Sequence, residues 1–453
     1  MKRRTPLVIR FIYILMTISF LWGCGTTPKQ SVDQARASTP SSDYQIGLNY
    51  YNGSNGYDKN MSGAFYWFQE AALEGHAEAQ AALGWMYESG EGVVKDEKQA
   101  ATWYLKSAKQ GNAYAQSNLG SMYLNGRGIA QSDSQAFSWT QKSAVQGNAF
   151  AQSNLGWMYE NGRGVAQDYK QAFTWYLKSA NRGNAFAQSN LGFMYLEGRG
   201  DAQSDSQAFN WSQKSAVQGD ATAQGNLGWM YENGRGVAQD YKQAVAWYLK
   251  SAKQGNAYAQ GNLGWMYENG KGVARDYEQA FTWYLKSANQ GDARAQENLA
   301  LMYFNGRGTT KSASQAYIWF RKSAEQGNLL AQTTLGWMYQ SGEGVARDDK
   351  KAVTWYLKSA KQGDASAQRQ LALMYLTGSG ITQSDRQGLI WLKKSAEQGD
   401  SSAQVYLGEM YQNGWGVKKS INEAVKWYEK SAEQGNEHAQ NALGELYASG
   451  QVF

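Results

Sequence analysis

Residue types that commonly do chemistry are nearly missing from this 453-residue chain, which holds one cysteine, Cys24, and two histidines, His76 and His438. The histidines lie 362 positions apart with no cysteine near either, so a Cys/His zinc site is excluded and both are expected on helix or loop surfaces. A single thiol cannot close an internal disulfide. No nucleophile stands beside a base in a catalytic motif, and no Walker lysine ends a glycine-rich phosphate loop. The Gly-x-Gly segments follow helical patterns with no strand before them, which removes a dinucleotide site. The chain is therefore read as a non-enzyme with no metal and no cofactor. For Cys24 the remaining chemistry is acylation, and for the rest of the chain it is surface recognition.

Basic Lys2, Arg3 and Arg4 precede an apolar run from Phe11 to Leu21. That run is too short for a membrane span of about 20 residues and suits a secretory signal. It ends in Leu21-Trp22-Gly23-Cys24, which resembles a bacterial lipobox, whose cysteine receives a diacylglyceryl group and becomes the new amino terminus. The expected organisation is a lipoprotein-type signal peptide over 1–23, a Ser/Thr/Gln/Pro-rich flexible tether over 24–43, and a repeat array over 44–453. Gly25 is not the aspartate of an inner-membrane retention signal, so the outer membrane, on its periplasmic or surface side, is the expected location. Membrane contact would then run through the lipid alone.

The formal charge of +6 also belongs largely to this segment, since Lys2, Arg3, Arg4 and Arg10 leave 40 basic against 38 acidic residues beyond position 23. So balanced a remainder has no global reason to seek nucleic acid. All three prolines, Pro6, Pro28 and Pro40, fall in the first forty positions, whereas the whole chain holds fifty glycines and eighteen tryptophans. Collagen-like and proline-rich disordered readings fail, and 14% aromatic content argues for a packed protein.

Ala-Gln recurs at Gln80, Gln116, Gln152 and onward to Gln440, always 36 residues apart. Tryptophan keeps the same period from Trp67 to Trp427 and tyrosine from Tyr51 to Tyr447. Such periodicity specifies a solenoid of about eleven 36-residue repeats. In residues 148–183, Asn148 can cap a first helix carrying Ala151, Leu155, Met158 and Tyr159 on one stripe. Asn161-Gly162-Arg163-Gly164 stops it. Asp168 and Gln171 start a second helix, in which Ala172, Trp175, Tyr176, Ser179 and Ala180 form the inward face, with the tryptophans expected as its core. Gly156 lies mid-helix at a cost of about 1 kcal/mol against alanine. Its counterparts are glycine or, at Ala300 and Ala372, alanine, so a close helix approach is expected there.

The unit Ala-Gln-x-x-Leu-Gly-x-x-Tyr, then Gly-x-Gly-Val, then Ala-x-x-Trp-Tyr-x-Lys-Ser-Ala is similar to the Sel-one-like repeat, a relative of the tetratricopeptide repeat. The resemblance implies an all-α, right-handed superhelical solenoid of antiparallel helix pairs, used as an adaptor or scaffold surface in bacterial envelopes and at host contact. A cysteine-rich branch linked to β-lactams does not transfer, because no repeat here contains cysteine. Gln131-Ser132-Asp133-Ser134-Gln135-Ala136-Phe137 returns unchanged at 203–209, a 72-residue super-period. The first unit, 44–76, is degenerate, and 436–453 reads as a single-helix C-terminal cap.

Beside the core stripe, the first helices leave another recurring face. Its residues are Tyr114 and Asn118; Phe150, Asn154 and Trp157; Phe186, Asn190 and Phe193; Asn226 and Trp229; and Tyr258, Asn262 and Trp265. By the resemblance these line the concave side, where amides can bond a peptide backbone and aromatic rings anchor a partner. The competing reading has the rings packing between successive first helices. Loop residues Arg127, Arg163, Arg199, Arg235, Lys271 and Arg307, beside acids such as Glu160 and Glu232, read as a solvated edge.

The function expected is a scaffold that binds a partner protein or peptide, a host protein such as an immunoglobulin among the candidates. The alternative is an envelope scaffold for polysaccharide or peptidoglycan, with aromatic rings stacking on the glycan. A cell-wall or β-lactam hydrolase ranks last for want of a nucleophile–base pair.

Overall fold

The structure, a computed structural model, describes residues 39–449. Cys24, the signal segment 1–23, the tether as far as residue 38 and the last four residues lie outside the described residues. Two compact units divide the chain, one ending at Asn148 and the other beginning at Ala149. In the first, six helices form three packed pairs; in the second, sixteen form eight pairs and Glu437–Ala448 follows as a single helix. Among the described residues every regular element is an α-helix, so each unit is an all-α solenoid of helix pairs.

Local chemistry sets the boundaries. The opening helix, Pro40–Asn52, starts inside the segment that composition assigns to the tether. Thr39 accepts from the Ser42 amide at 3.2 Å, Ser42 Oγ accepts from the Thr39 amide at 2.8 Å, and Pro40 fills the first helical position. Later first helices begin behind an Asn or Asp whose side chain accepts from the third helical amide, as Asn184 does from Ala187 at 2.8 Å. His76 takes this role in one repeat: its Nδ1 accepts from Ala79 at 3.3 Å and its ring stacks on Tyr44 at 4.7 Å, so it is a half-buried cap rather than a free surface group. Second helices after the first pair begin behind Asp or Ser, where the first uses Asn60; Asp168 accepts from both Lys170 and Gln171 at 2.9 and 3.0 Å.

Asp220, which caps Ala221–Asn233, has its carboxyl pKa raised by burial, against hydrogen bonds from Ala223, Ser189 and Thr222. A raised folded-state pKa means this group favours folding most below the unfolded value of 3.8 and loses that contribution as pH rises through the folded value. Asn256 and Asn328 make the same cap without a charge. Asp220→Asn is therefore expected to leave neutral-pH stability unchanged or up to about 1 kcal/mol higher, and to remove the gain on acidification. Urea midpoints at pH 3.5 and 7 measure both, and a clear loss at pH 7 would refute it.

Within a pair, Ala151, Leu155 and Met158 of the first helix meet Ala172, Tyr176, Ser179 and Ala180 of the second, all buried. The tryptophans divide: Trp103, Trp211, Trp283 and Trp319 are buried core members, whereas Trp139, Trp175, Trp247, Trp355, Trp391 and Trp427 are half-buried at its margin. A lysine three residues on lies over each ring from Trp103 to Trp427, at 3.8 Å for Lys106–Trp103 and 4.5 Å for Lys394–Trp391, whereas Trp67 has Glu70 at that place; the lysine-covered rings form a lid at the helix flank. The tyrosine one residue later takes the centre. Gly156 exists for that ring: a Cβ there would sit 2.8 Å from Tyr176 Cδ1.

The tyrosine hydroxyl needs an acceptor, and one is supplied 16 residues earlier. Tyr176 donates to Glu160 at 2.9 Å, Tyr248 to Glu232 at 2.6 Å, Tyr284 to Glu268 at 2.8 Å, and Tyr356 to Gln340 at 2.9 Å. Glu160 is 3% exposed, which corrects its reading as part of a solvated edge. Where the tyrosine is lost the acceptor goes with it: Phe320 is matched by Phe304, and Leu392 by Leu376.

A second set of bonds joins neighbouring repeats. Gln188 donates to the Ala180 carbonyl of the preceding repeat at 3.1 Å, and its own Oε1 accepts from Gln218 at 2.7 Å. Gln224, Gln260 and Gln296 repeat the arrangement with Gln254, Gln290 and Gln326. Ser215 Oγ donates to the Ala185 carbonyl at 2.7 Å and ties second helix to first.

Candidate protein-interaction face

With Ala, Leu, Met and Gly turned to the second helix and Gln to the rung between repeats, the remaining positions of each first helix form the exposed face. In the first unit Tyr114 is 46% exposed and packs edge-on against Tyr104 at 6.3 Å, while Asn118 donates to the Tyr114 carbonyl at 3.1 Å. In the second unit Phe150 is 50% exposed. Asn154, Trp157, Phe186, Asn190, Phe193, Asn226, Trp229, Tyr258, Asn262 and Trp265 are all half-buried.

Each row divides its surface between structure and solvent. Phe186 sits edge-on to Tyr176, and Tyr258 to Tyr248, both at 6.4 Å. These rings seal successive repeats and still present an open side. Lower rings carry a loop cation: Arg163 lies 5.9 Å from the Trp157 ring, Arg199 5.6 Å from Phe193, and Arg235 5.8 Å from Trp229. Arg235 also forms a two-bonded pair with Asp205, and in the first unit Arg127 reaches Glu88 at 2.8 Å. The loop cations are thus built onto rings and carboxylates rather than forming a free basic row. Burial pushes the Tyr258 hydroxyl above its ordinary range.

The amides differ among themselves. Asn190 gives its Nδ2 to the Phe186 carbonyl at 2.8 Å, a bond within its own helix. Asn154 and Asn226 make no hydrogen bond within the described residues, and Asn262 Nδ2 is shut from water beside the Tyr258 hydroxyl. Part of the row is therefore structural and part is uncommitted.

Spacing along the face follows from the residue before each asparagine. Helices Ala149–Asn161, Ala185–Glu197, Ala221–Asn233 and Ala257–Asn269 touch one another in succession. Ser153, Ser189, Gly225 and Gly261 stand at the contact; a Cβ on Gly225 would lie 3.8 Å from Tyr258 and 3.9 Å from Ala259 of the next helix. Farther on the position holds larger residues that reach across by side-chain bonds. Glu297 accepts from Asn328, Thr333 donates to Asp364 at 3.1 Å, and Arg369 donates to Asp400 at 3.1 Å. The aromatic and amide rows fade there too, to Ser366 with Gln370 and Ser402 with Tyr406.

Sequence reasoning treated Ala-Gln only as a period marker. A second glutamine series, 30 residues after the first, was the available signal for the rungs. Among the described residues no three His, Cys, Asp or Glu side chains converge on a metal-sized site, and no helix is long and apolar enough to cross a membrane.

Comparisons with known proteins agree on the repeat. The family described as Sel1 repeat matches eleven consecutive segments: 40–76, 77–112, 113–148, 149–184, 185–220, 221–256, 257–292, 293–328, 329–364, 365–400 and 401–436. Among solved structures, the chain is similar to a protective antigen present in uropathogenic Escherichia coli strains that displays an SLR fold. The identity is 38%, with 90% of this chain and 88% of that one covered and a TM-score of 0.77. A Sel1 repeat protein from Oxalobacter formigenes is 33% identical over 54% of this chain and 96% of that one, with a TM-score of 0.48. No curated protein matches the chain.

Proposed function

Because the chain belongs to the Sel1 repeat family, whose members mediate protein–protein interactions, we propose that it is a non-enzymatic scaffold of the bacterial envelope or surface that binds a partner on its first-helix face. The supporting observation is the half-open row from Phe150 to Trp265, where aromatic rings alternate with amides, of which Asn154 and Asn226 are uncommitted. Half-open rings offer large contact area with little side-chain entropy left to lose. In this reading Cys24 carries the lipid, the Ser/Thr-rich segment spaces the array from the outer membrane, and the partner is a protein or peptide, host proteins such as immunoglobulin included. Likeness to a protective antigen favours surface or secreted exposure. The glycan alternative gains little from the second-helix tryptophans, since a lysine lies over one face of each of ten rings.

A crosslinking pull-down with the full lipidated chain, from envelope extract and from host secretions, tests the reading. The expected result is a partner whose crosslinks map to residues 150–265 and whose capture drops at least tenfold in Trp157→Ala/Trp229→Ala/Trp265→Ala. Crosslinks confined to the lysine-covered flank, or unchanged capture by the triple variant, would remove the assignment. Mass spectrometry of the same preparation should find Cys24 acylated; an unmodified thiol would remove the anchor.

A further inference from the structure

The outer faces of the second helices carry a regularity that the first-helix reading does not use. We infer that helices Tyr169–Ala180, Asp205–Val217, Tyr241–Lys253 and Tyr277–Asn289 bind a linear acidic polysaccharide whose carboxylates engage one lysine per repeat. This site is separate from the first-helix face and does not depend on it.

Lysine holds the same place in ten successive repeats, from Lys106 to Lys430. On these four helices it is Lys178, Lys214, Lys250 and Lys286, each exposed and each in the last turn. Their ammonium groups lie 4.1, 4.1, 3.9 and 4.1 Å from the rings of Trp175, Trp211, Trp247 and Trp283. Contact with a ring face leaves the positive charge in place. A side chain already laid on a ring also has less rotamer freedom to lose when a ligand arrives. Among the described residues none of the four pairs with a carboxylate.

The charge on these helices is one-sided. They hold seven lysines and two acids, Asp205 and Glu278, in a chain that is nearly balanced beyond position 23. Asp205 is already taken by two bonds from Arg235. The capping carboxylates Asp168, Asp240 and Asp276 accept from first-turn amides, at the helix ends away from the lysine row. In later repeats a carboxylate returns three residues after the lysine, as Glu325, Glu397 and Glu433, which confines the unopposed row to this stretch. The other exposed side chains decide between polyanions. They are hydroxyls and amides such as Gln171, Thr174, Asn210, Gln213, Gln243 and Thr282, and Val217 is the one large apolar side chain exposed on the four helices. A bilayer needs apolar side chains to insert, a protein partner needs aromatic or apolar anchors, and a nucleic acid needs open rings for its bases. Here every ring is buried or half-buried beneath its lysine. Cations set among hydroxyls and amides match a ligand that is rich in hydroxyls and carries carboxylates at regular intervals. One exposed lysine holds one carboxylate weakly, so the row acts on a polymer that reaches several lysines at once.

Fluorescence anisotropy of labelled polygalacturonate with the full chain in low salt tests this, with digalacturonate, neutral dextran, single-stranded DNA and phosphatidylglycerol vesicles as comparisons. Polygalacturonate should bind at least tenfold more tightly than digalacturonate or dextran, and more tightly than an equal charge of DNA or vesicles. Added salt should weaken it. Lys178→Gln/Lys214→Gln/Lys250→Gln/Lys286→Gln should lose at least tenfold at unchanged helix content. Lys311→Gln/Lys350→Gln/Lys418→Gln/Lys419→Gln removes the same charge elsewhere and should lose less than twofold. Should the first variant unfold, Lys214→Gln/Lys250→Gln is read in its place, with a loss of about threefold expected. No binding of polygalacturonate, equal losses in the two fourfold variants, or tighter binding of DNA or vesicles would overturn the inference. The two sites fail separately: polymer binding without crosslinks at 150–265 removes the first-helix reading alone, and crosslinks there without polymer binding remove this one alone.

Discussion

Replacing Gly236 with alanine is expected to destabilise the second unit by about 2–5 kcal/mol, because two penalties coincide. The backbone there has φ 72°, in the left-handed region that costs a side-chain-bearing residue about 1–2 kcal/mol. The added Cβ would also be driven against the Asp205 carbonyl oxygen and would lie 3.1 Å from Phe209 Cβ, both in the preceding repeat. A carbonyl at a helix start cannot step aside as a flexible side chain can, so about 1–3 kcal/mol of overpacking is added. Gly234 is the internal control. Its φ is 66°, yet a Cβ there meets nothing nearer than 3.5 Å, so Gly234→Ala should show the conformational penalty alone. Denaturant melts of both variants, with hydrogen exchange read at repeats 185–220 and 221–256, make the comparison. Equal losses for the two alanines would show that the inter-repeat contact carries no weight.

Raising the pH above about 10 is expected to dismantle the array cooperatively. The hydroxyls of Tyr104, Tyr248, Tyr284, Tyr356 and Tyr428 are all pushed above their ordinary pKa of 10.0, burial being the first cause in each. Glu88, Glu232 and Glu268 reinforce it at the first three, by charge and by accepting the proton they would lose. These groups hold their protons more tightly folded than unfolded. Their contribution is thus fully present below pH 10 and is lost as pH rises toward the folded values. Each such tyrosine steepens the loss by about 1.4 kcal/mol per pH unit, and five acting together give about 7 kcal/mol per unit. Circular dichroism and tyrosinate absorbance, followed together through an alkaline titration, should change in one step. Tyr284→Phe/Glu268→Leu, which copies the apolar character of the natural Phe320/Phe304 pair, should delay that step. Ionisation of these tyrosines at pH 10 with the helices intact would contradict their burial.

The helix pairs were legible because each repeat states its caps, stripe and stop eleven times over, and the Gly156 argument needed only a helix-interior glycine with small replacements. What sequence could not divide was the aromatic content. Trp175 and Tyr176 are adjacent and both fit the inward stripe, yet about 100° of helix rotation separates a lysine-covered lid from a buried centre. Glu160 looked like one more surface acid because its partner lies 16 residues on, beyond the reach of local pattern. For the candidate face, the sequence identified the rows and the structure divides them: Asn190 bonds its own helix, whereas Asn154 does not. That difference depends on side-chain rotamer, which identical residue types at identical spacing do not encode.

The side-chain bonds that join one repeat to the next span at most 39 positions, from 8 at Gln188–Ala180 to 39 at Arg127–Glu88, so each cassette answers only to its neighbours. The identical runs 131–137 and 203–209 lie two cassettes apart. A crossover between them would delete 72 residues, rejoin Gln131 to Ser204 in frame and in register, and return every rung an equivalent mate. The reach of the molecule is therefore a heritable length, open to contraction or extension by unequal exchange without a new fold having to evolve.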